Sequence, residues 1–269
     1  MSYLFGPENW EWLFAGRSLR FLLEGFAVTI EIAIIAMILS LFVGLFLALG
    51  RISKNPLLKG VTGTWIDVWR NLPLIFILLF LSIWLPGGAK SAYEDIVPGW
   101  APEAFQSGRL LAAILGLVLY NSAVIAEIMR AGIVSLERGQ GEAAAALGLS
   151  YWKSMRLIIL PQGLRRMVPA TVSQLITLNK DTTLVSIIAI QEVMRRGKIL
   201  SNCNVFTCGQ EVPLLQVFIV VGLLFVSVNL LLSRLSRRLE IRQRQKTGTE
   251  IEVVTGLEDQ VAARANVGP

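Results

Sequence analysis

The chain contains no histidine and only two cysteines, Cys203 and Cys208, in 269 residues. Metal sites built from His and Cys, and nucleophilic triads that need an imidazole base, are therefore excluded. Charge is also scarce. Asp, Glu, Lys and Arg make up 16% of the chain, against about 25% in an ordinary soluble domain. Hydrophobic residues reach 54% and mean hydropathy is +0.61. The apolar residues fall in blocks too long for a soluble core to hide, so the chain reads as an all-α integral membrane protein. No G-x-x-x-x-G-K-[ST] phosphate loop is present, which excludes ATP binding by that device. The net charge of +6 points, in so apolar a chain, to basic loops on the inner membrane face rather than to nucleic acid.

A bilayer core of about 30 Å needs roughly 20 helical residues, and five segments qualify as candidate spans: 25–49, 65–85, 110–128, 167–190 and 212–232. The second contains Pro73, which implies a kinked or broken helix. The fourth is interrupted by Lys180 and Asp181. With the N-terminus outside and the C-terminus inside, the inner segments hold 15 basic residues: Arg51, Lys54, Lys59, Arg130, Arg138, Lys153, Arg156, Arg165, Arg166, Arg234, Arg237, Arg238, Arg242, Arg244 and Lys246. The outer segments hold seven: Arg17, Arg20, Lys90, Arg109, Arg195, Arg196 and Lys198. The bias favours N-out and C-in, with the last three residues running against the rule. Glu8, Glu11, Arg17 and Arg20 occupy the place where a cleavable leader would be apolar. With Trp10, Trp12, Phe14 and Phe21, residues 1–24 read as an amphipathic interfacial segment or, alternatively, a solvated lead-in. Residues 25–234 form the membrane domain, and the polar stretch 235–269 reads as a disordered cytoplasmic tail.

The segment from Gly139 to Ala170 is too long and too polar for a simple connection. The Ala-rich stretch Glu142 to Leu147 favours helix, Gly148 suits its end, and a second helix from about Ser150 is expected to stop at Pro161. Leu147, Leu149, Tyr151, Trp152, Met155 and Ile158 give this angled projection an apolar surface, flanked by Glu142, Lys153 and Arg156. Such a knob suits docking to a cytoplasmic partner or packing on lipid headgroups.

Glu142-Ala143-Ala144, then Gly148, then Ile159-Leu160-Pro161 resembles the EAA loop of permease subunits of bacterial ABC importers. Ala126-Glu127-Ile128, Arg130-Ala131-Gly132-Ile133, Gly139-Gln140, Leu160-Pro161-Gln162 and Lys180 to Ser186 resemble the branch of that family that takes up polar amino acids. The resemblance covers about residues 25–234 and implies a type I importer permease fold with five transmembrane helices, working as a dimer in the bacterial inner membrane. It implies that residues 139–163 form coupling helices, with Glu142, Ala143, Ala144, Gly148, Leu160 and Pro161 meeting an ATP-binding subunit. Glu142 is expected to cap the first of them. The partners implied are a dimer of ATPase subunits that bind ATP and Mg, a second identical or related permease, an extracytoplasmic solute-binding protein, an amino acid and lipid. The chain itself is expected to bind no cofactor or metal and to catalyse no reaction.

Charges at bilayer depth cost about 2.5–3.5 kcal/mol each on insertion scales, so they mark a pathway or a site. Lys180 and Asp181 point about 100° apart on a helix. They suit the carboxylate and ammonium of a zwitterionic amino acid, with Asn179, Thr182, Thr183 and Ser186 adding hydrogen bonds. Alternatively each pairs with Arg70, Glu127 or Asp67 to lock the bundle. Arg70 and Asn71 precede the break at Pro73, where freed backbone groups can serve a ligand or gate. Arg70-Asn71-Leu72-Pro73-Leu74 resembles the R-N-x-P-L of acidic amino acid permeases, which tilts the expected cargo towards glutamate or aspartate and leaves glutamine and basic cargo open. Glu31 and Glu127 are candidates for ligand or helix–helix contact alike. Cys203 and Cys208, separated by four residues in an outer loop, are compatible with a disulfide or with two free thiols. A secondary carrier using Lys180 and Asp181 is the alternative reading. It lacks detectable inverted repeats and gives no reason for the inner knob. An intramembrane enzyme lacks a nucleophile–base pair.

Overall fold

The computed structural model describes residues 6–14, 17–136, 138–202 and 212–247. Among them there is no strand. The α-helices longer than four residues are α1 (Ser18–Arg51), α2 (Pro56–Asn71), α3 (Leu74–Trp84), α4 (Gly87–Ile96), α5 (Arg109–Val134), α6 (Arg138–Ala146), α7 (Leu160–Asp181), α8 (Val193–Ser201) and α9 (Leu214–Thr247).

Three of these, α1, α5 and α9, are long and apolar enough to cross a membrane. The α2–α3 pair makes a fourth if it is counted as one broken span. The break is sharper than a kink: the two helices meet at 101°. Leu72 is extended, at φ −85° and ψ 137°, because the proline ring disfavours helical geometry in the residue before it. Pro73 then starts α3. The expected fourth span corresponds to α7, which is not apolar enough to count as a span and ends at Asp181, where a 3₁₀ turn (Thr182–Ile188) takes over. Five spans are therefore not established by length and composition. Ala189 stops the turn in the left-handed region, at φ 64°.

The core is built around the packing of α1 on α5, with α3 and α7 also against α5 and α9 against α7. Ile32, Ala36, Leu117, Ile125, Ala126 and Leu178 are among its buried residues. Small residues let the backbones close up, as is usual where lipid removes the hydrophobic drive between helices. The inner end of α5 and the start of α7 cross at Gly132 and Gly163: a Cβ on Gly132 would sit 2.9 Å from the Gly163 carbonyl oxygen. A second cluster, at the outer end, holds Trp12, Leu22, Phe26, Val193, Val217 and Val221.

Two boundaries differ from the sequence reading. Helix α1 begins at Ser18, and Trp12 is 2% exposed with its indole N–H donated to the Asn9 carbonyl at 3.0 Å. Part of the N-terminal segment is thus packed into the bundle rather than laid on its surface. At the other end α9 continues to Thr247, so 235–247 is helical and not a disordered tail. No Gly or Pro stands between 235 and 247 to stop the helix, and Leu, Arg, Glu and Gln in this stretch are good helix formers. Residues 248–269, and Cys203 and Cys208 with the disulfide considered for them, lie outside the described residues.

Candidate functional site: the inner helical projection and the polar groups of the bundle

Helix α6 ends as its sequence requires. Gly148 takes φ +72°, its N–H reaches Ala145 O at 2.9 Å, and the Leu149 N–H reaches Ala144 O at 3.0 Å. This pair of bonds is a Schellman motif, which a residue without a Cβ adopts at least cost. The chain then turns into Tyr151–Ser154 and a π-helical turn, Met155–Ile159, that runs directly into α7. The second helix does not stop at Pro161, contrary to expectation. Proline has no N–H and its ring clashes with the carbonyl four residues back. The wider π turn just upstream accommodates both, which is a common origin of such turns.

Glu142 is exposed and stands in the middle of α6, four residues after its start at Arg138, not at the N-cap position expected of it. Ala144 is buried while Ala143 is exposed. The projection offers Leu147 at 77%, Trp152 at 72% and Leu157 at 63% exposure, with Tyr151 beside them. Met155 is buried and Ile158 and Leu149 are half-buried, so the exposed knob is narrower than the sequence suggests, and Leu157 is an addition to it. The element is braced from behind. Arg166 donates to the Ser135 carbonyl at the end of α5 at 2.7 Å, Gln162 to Gln140 at 3.3 Å, and the Lys54 ammonium lies 4.8 Å from the Tyr151 ring centre.

Directly above this element an ion cluster joins three helices. Arg51 of α1 lies 3.0 Å from Glu127 of α5 and 3.3 Å from Asp67 of α2, and Arg130 lies 2.9 Å from the other Glu127 oxygen. The Arg51–Glu127 contact is close but not aligned as a hydrogen bond, so it acts through charge. Glu127, 16% exposed at its side chain, is thus held by two guanidinium groups. Arg51 was not singled out in the sequence because it looked like an ordinary inner-loop cation.

The remaining polar candidates stand differently. Asp67 and Glu127 pair with Arg51 and Arg130, and among the described residues neither pairs with Lys180. The bundle-locking alternative for Lys180 and Asp181 is therefore not what the structure shows. Lys180 is exposed at the end of α7 and Asp181 is half-buried. Thr182 is buried and donates to Asn179 O at 2.7 Å. Arg70 is exposed, and Asn71 donates to Asp67 O at 2.7 Å. The 3₁₀ turn after Lys180 and Asp181 packs on α3, the helix that follows Arg70 and Asn71 across the break at Pro73. Glu31 is exposed on α1.

Several polar links escaped sequence reasoning. Gln174 donates to Asn121 at 2.9 Å and Asn179 to Asn229 at 3.1 Å, tying α7 to α5 and α9; uncharged amides inside apolar runs were the available signal. Glu192 is fully buried and accepts from the Met194 and Arg195 N–H groups at the start of α8, with the Thr29 hydroxyl 3.3 Å away. Burial pushes its carboxyl up to about 7, partly opposed by those hydrogen bonds and by Lys198. The basic residues that break the positive-inside trend are partly neutralised: Arg196 pairs with Glu24 at 3.1 Å and stacks 4.6 Å from the Phe21 ring centre.

Residues 18–245 match the family described as binding-protein-dependent transport system inner membrane component. The chain is 37% identical to the probable glutamine ABC transporter permease of Bacillus subtilis (strain 168) over 234 residues, which is 86% of this chain and 97% of that one. It is 33% identical to the glutamate/aspartate import permease of Escherichia coli O157:H7, covering 86% of this chain and 98% of that one. It is 32% identical to the arginine transport system permease of Bacillus subtilis (strain 168), covering 82% and 91%. Among solved structures, an amino acid ABC transporter crystallised with histidines superposes with a TM-score of 0.66 at 27% identity, covering 83% of this chain and 94% of that one. An inward-facing methionine ABC transporter shares the fold, with a TM-score of 0.58 at 20% identity over 86% and 98%. The family consists of transport components rather than enzymes, and a helical hairpin at one end of an apolar bundle agrees with that role: the chain belongs to the family of inner-membrane components of binding-protein-dependent transport systems.

Proposed function

We propose that the chain is the permease subunit of an ATP-driven importer for polar amino acids, paired with a second permease, fed by a solute-binding protein and driven by a separate ATPase. The observation that carries this reading is the α6–Gly148–Trp152 projection. It exposes large apolar side chains at a Schellman-terminated bend and is braced onto α5 and α7, which suits a knob that enters a groove of another subunit. ATP and Mg belong to that subunit, and this chain carries no cofactor. Glu142, Ala143, Ala144, Gly148, Leu160 and Pro161 form or support the docking surface.

A second permease is favoured because Lys180 and Glu31 are exposed on single helices at membrane depth, where lipid contact is costly. A facing subunit or a water-filled path between subunits relieves that cost. Lys180, Asp181 and Thr182 with Arg70 and Asn71 are the candidate substrate residues and provide both signs of charge for a zwitterion; the packing of the 3₁₀ turn on α3 supports grouping them. Arg70 favours a side-chain carboxylate, hence glutamate or aspartate. Glutamine is the second reading, supported by the similarity to a probable glutamine permease.

The test is uptake by proteoliposomes holding the full transporter, challenged with glutamate, aspartate, glutamine and arginine. A charge-assisted hydrogen bond contributes about 1.5–3 kcal/mol, or roughly 10- to 150-fold in affinity. Lys180→Ala should lower apparent affinity for the preferred amino acid by that order while leaving assembly intact. Normal transport by this variant would remove Lys180 from the site, and stimulation by none of the amino acids would overturn the cargo class.

A further inference from the structure

Near the inner ends of α7 and α9 a cavity of about 510 Å³ opens between the two helices. The helices touch just above it, where the Ser236 hydroxyl donates to the Pro169 carbonyl at 3.1 Å and lies 3.2 Å from the Ser173 hydroxyl. Arg165, Arg166 and Arg242 line it together with Val168, Pro169 and Leu239. Arg166 is anchored on the Ser135 carbonyl, which fixes one guanidinium at the wall. Among the described residues Arg165 and Arg242 make no ion pair, and both are exposed. Three cations thus line one opening, and among the described residues no carboxylate lines it.

The depth of the cavity suggests its ligand. The last apolar residue of the uncharged run of α9 is Leu232; Ser236, at the roof of the cavity, lies four residues on, about 6 Å along the axis at 1.5 Å per residue, and Leu239 about 10 Å on. The headgroup layer, which extends a bilayer of about 30 Å hydrocarbon to about 40–45 Å, takes up about 5–7.5 Å in each leaflet, so the roof of the cavity lies within it and Leu239 just beyond. Arginine stems reach back along apolar surface while their heads stay polar, and Val168 and Leu239 supply that surface. We propose that this cavity binds a phosphate-bearing anion, the headgroup of an acidic phospholipid of the inner leaflet. The apolar wall favours the lipid over a free phosphate, and basic pockets between helices on the inner side are suited to such headgroups. The site lies apart from Lys180 and behind the Leu147–Trp152 knob, since Gln162 and Arg166 line the cavity and also brace the projection. It rests on the inner placement of these helix ends in the proposed permease, but binding is measured without transport, so failure of one is distinguishable from failure of the other.

The experiment uses the full chain solubilised with its partner subunits, stripped of lipid, and titrated with short-chain phosphatidylglycerol, the matching phosphatidylcholine, and sodium phosphate. Each arginine near an anionic headgroup accounts for about five-fold in binding. Phosphatidylglycerol should therefore bind on the order of 100-fold more tightly than phosphatidylcholine. Arg165→Gln and Arg242→Gln should each reduce that preference about five-fold, and Lys59→Gln, an exposed cation away from the cavity, should leave it unchanged. Inorganic phosphate binding as tightly as phosphatidylglycerol, with the same dependence on the two arginines, would uphold the anion site and make its source a soluble phosphate. Equal binding of both lipids, or variants that bind like the parent chain, would overturn the proposal. So would arginine variants that retain lipid but lose the ATPase subunit, which would assign the cavity to the subunit interface.

Discussion

Glu192 shows how one buried side chain can report on the fold. It caps α8 and touches Thr29 of α1, so it joins two elements remote in sequence. Its folded-state value of about 7 lies above the ordinary carboxyl range near 4.3. Between these values the folded chain holds a proton that the unfolded chain has lost, so stability is greatest below the lower value and falls as pH rises through about 7. The detergent-solubilised protein should therefore lose thermal stability between pH 5 and 8, and Glu192→Gln should flatten that dependence; an unchanged slope in the variant would mean the carboxyl is not the source. Ala189 is a second such residue. At φ 64° an alanine carries left-handed strain of about 1–2 kcal/mol, partly offset in a glycine by greater freedom of the unfolded chain. Ala189→Gly should raise stability by roughly 0.5–1 kcal/mol, read as a higher thermal midpoint, and a lower midpoint would show that the alanine methyl is held by packing.

Among the elements, the inner ends of α1, α2 and α5 depend on Arg51. Its contacts with Glu127 and Asp67 are only partly buried, so Arg51→Met should cost about 1–2 kcal/mol in stability, less than a fully buried pair. The effect should shrink in high salt; a loss independent of salt would make packing of the arginine stem the dominant effect. How far these elements could be read in advance varied with the physics involved. The apolar blocks of α1, α5 and α9 announce themselves, because hydropathy and length alone specify a membrane helix. Gly148 was also legible, since a glycine after an alanine-rich helix is the signature of its end. Pro73 announced a break but not its 101° bend, which depends on what α3 packs against. At Pro161 local propensity misled, because the π turn that rescues the helix is a property of the preceding five residues together with the Gly132–Gly163 crossing. The candidate site was half legible: Lys180, Asp181 and Arg70 stand out as rare charges, whereas the role of Glu127 depends on Arg51, more than 70 residues away in sequence. The Asn121–Gln174 and Asn179–Asn229 links involve uncharged groups that composition does not flag.

At the scale of the whole molecule, the bundle connects two ends with different chemistry. The helix α5 that forms the centre of the core also carries Glu127 and ends at Ser135, whose carbonyl is held by Arg166, so the proposed coupling element is joined to the same helix on which α1, α3 and α7 pack. The most direct test measures ATP hydrolysis and amino acid uptake together in proteoliposomes of the full transporter, comparing the parent chain with Gly148→Val. A β-branched residue at φ +72° strains the bend at the base of the knob. The account predicts that Gly148→Val inserts and assembles normally but loses at least about 10-fold in uptake per ATP hydrolysed, the equivalent of about 1.4 kcal/mol. Uptake per ATP equal to that of the parent chain would contradict the assignment of this projection as the coupling element.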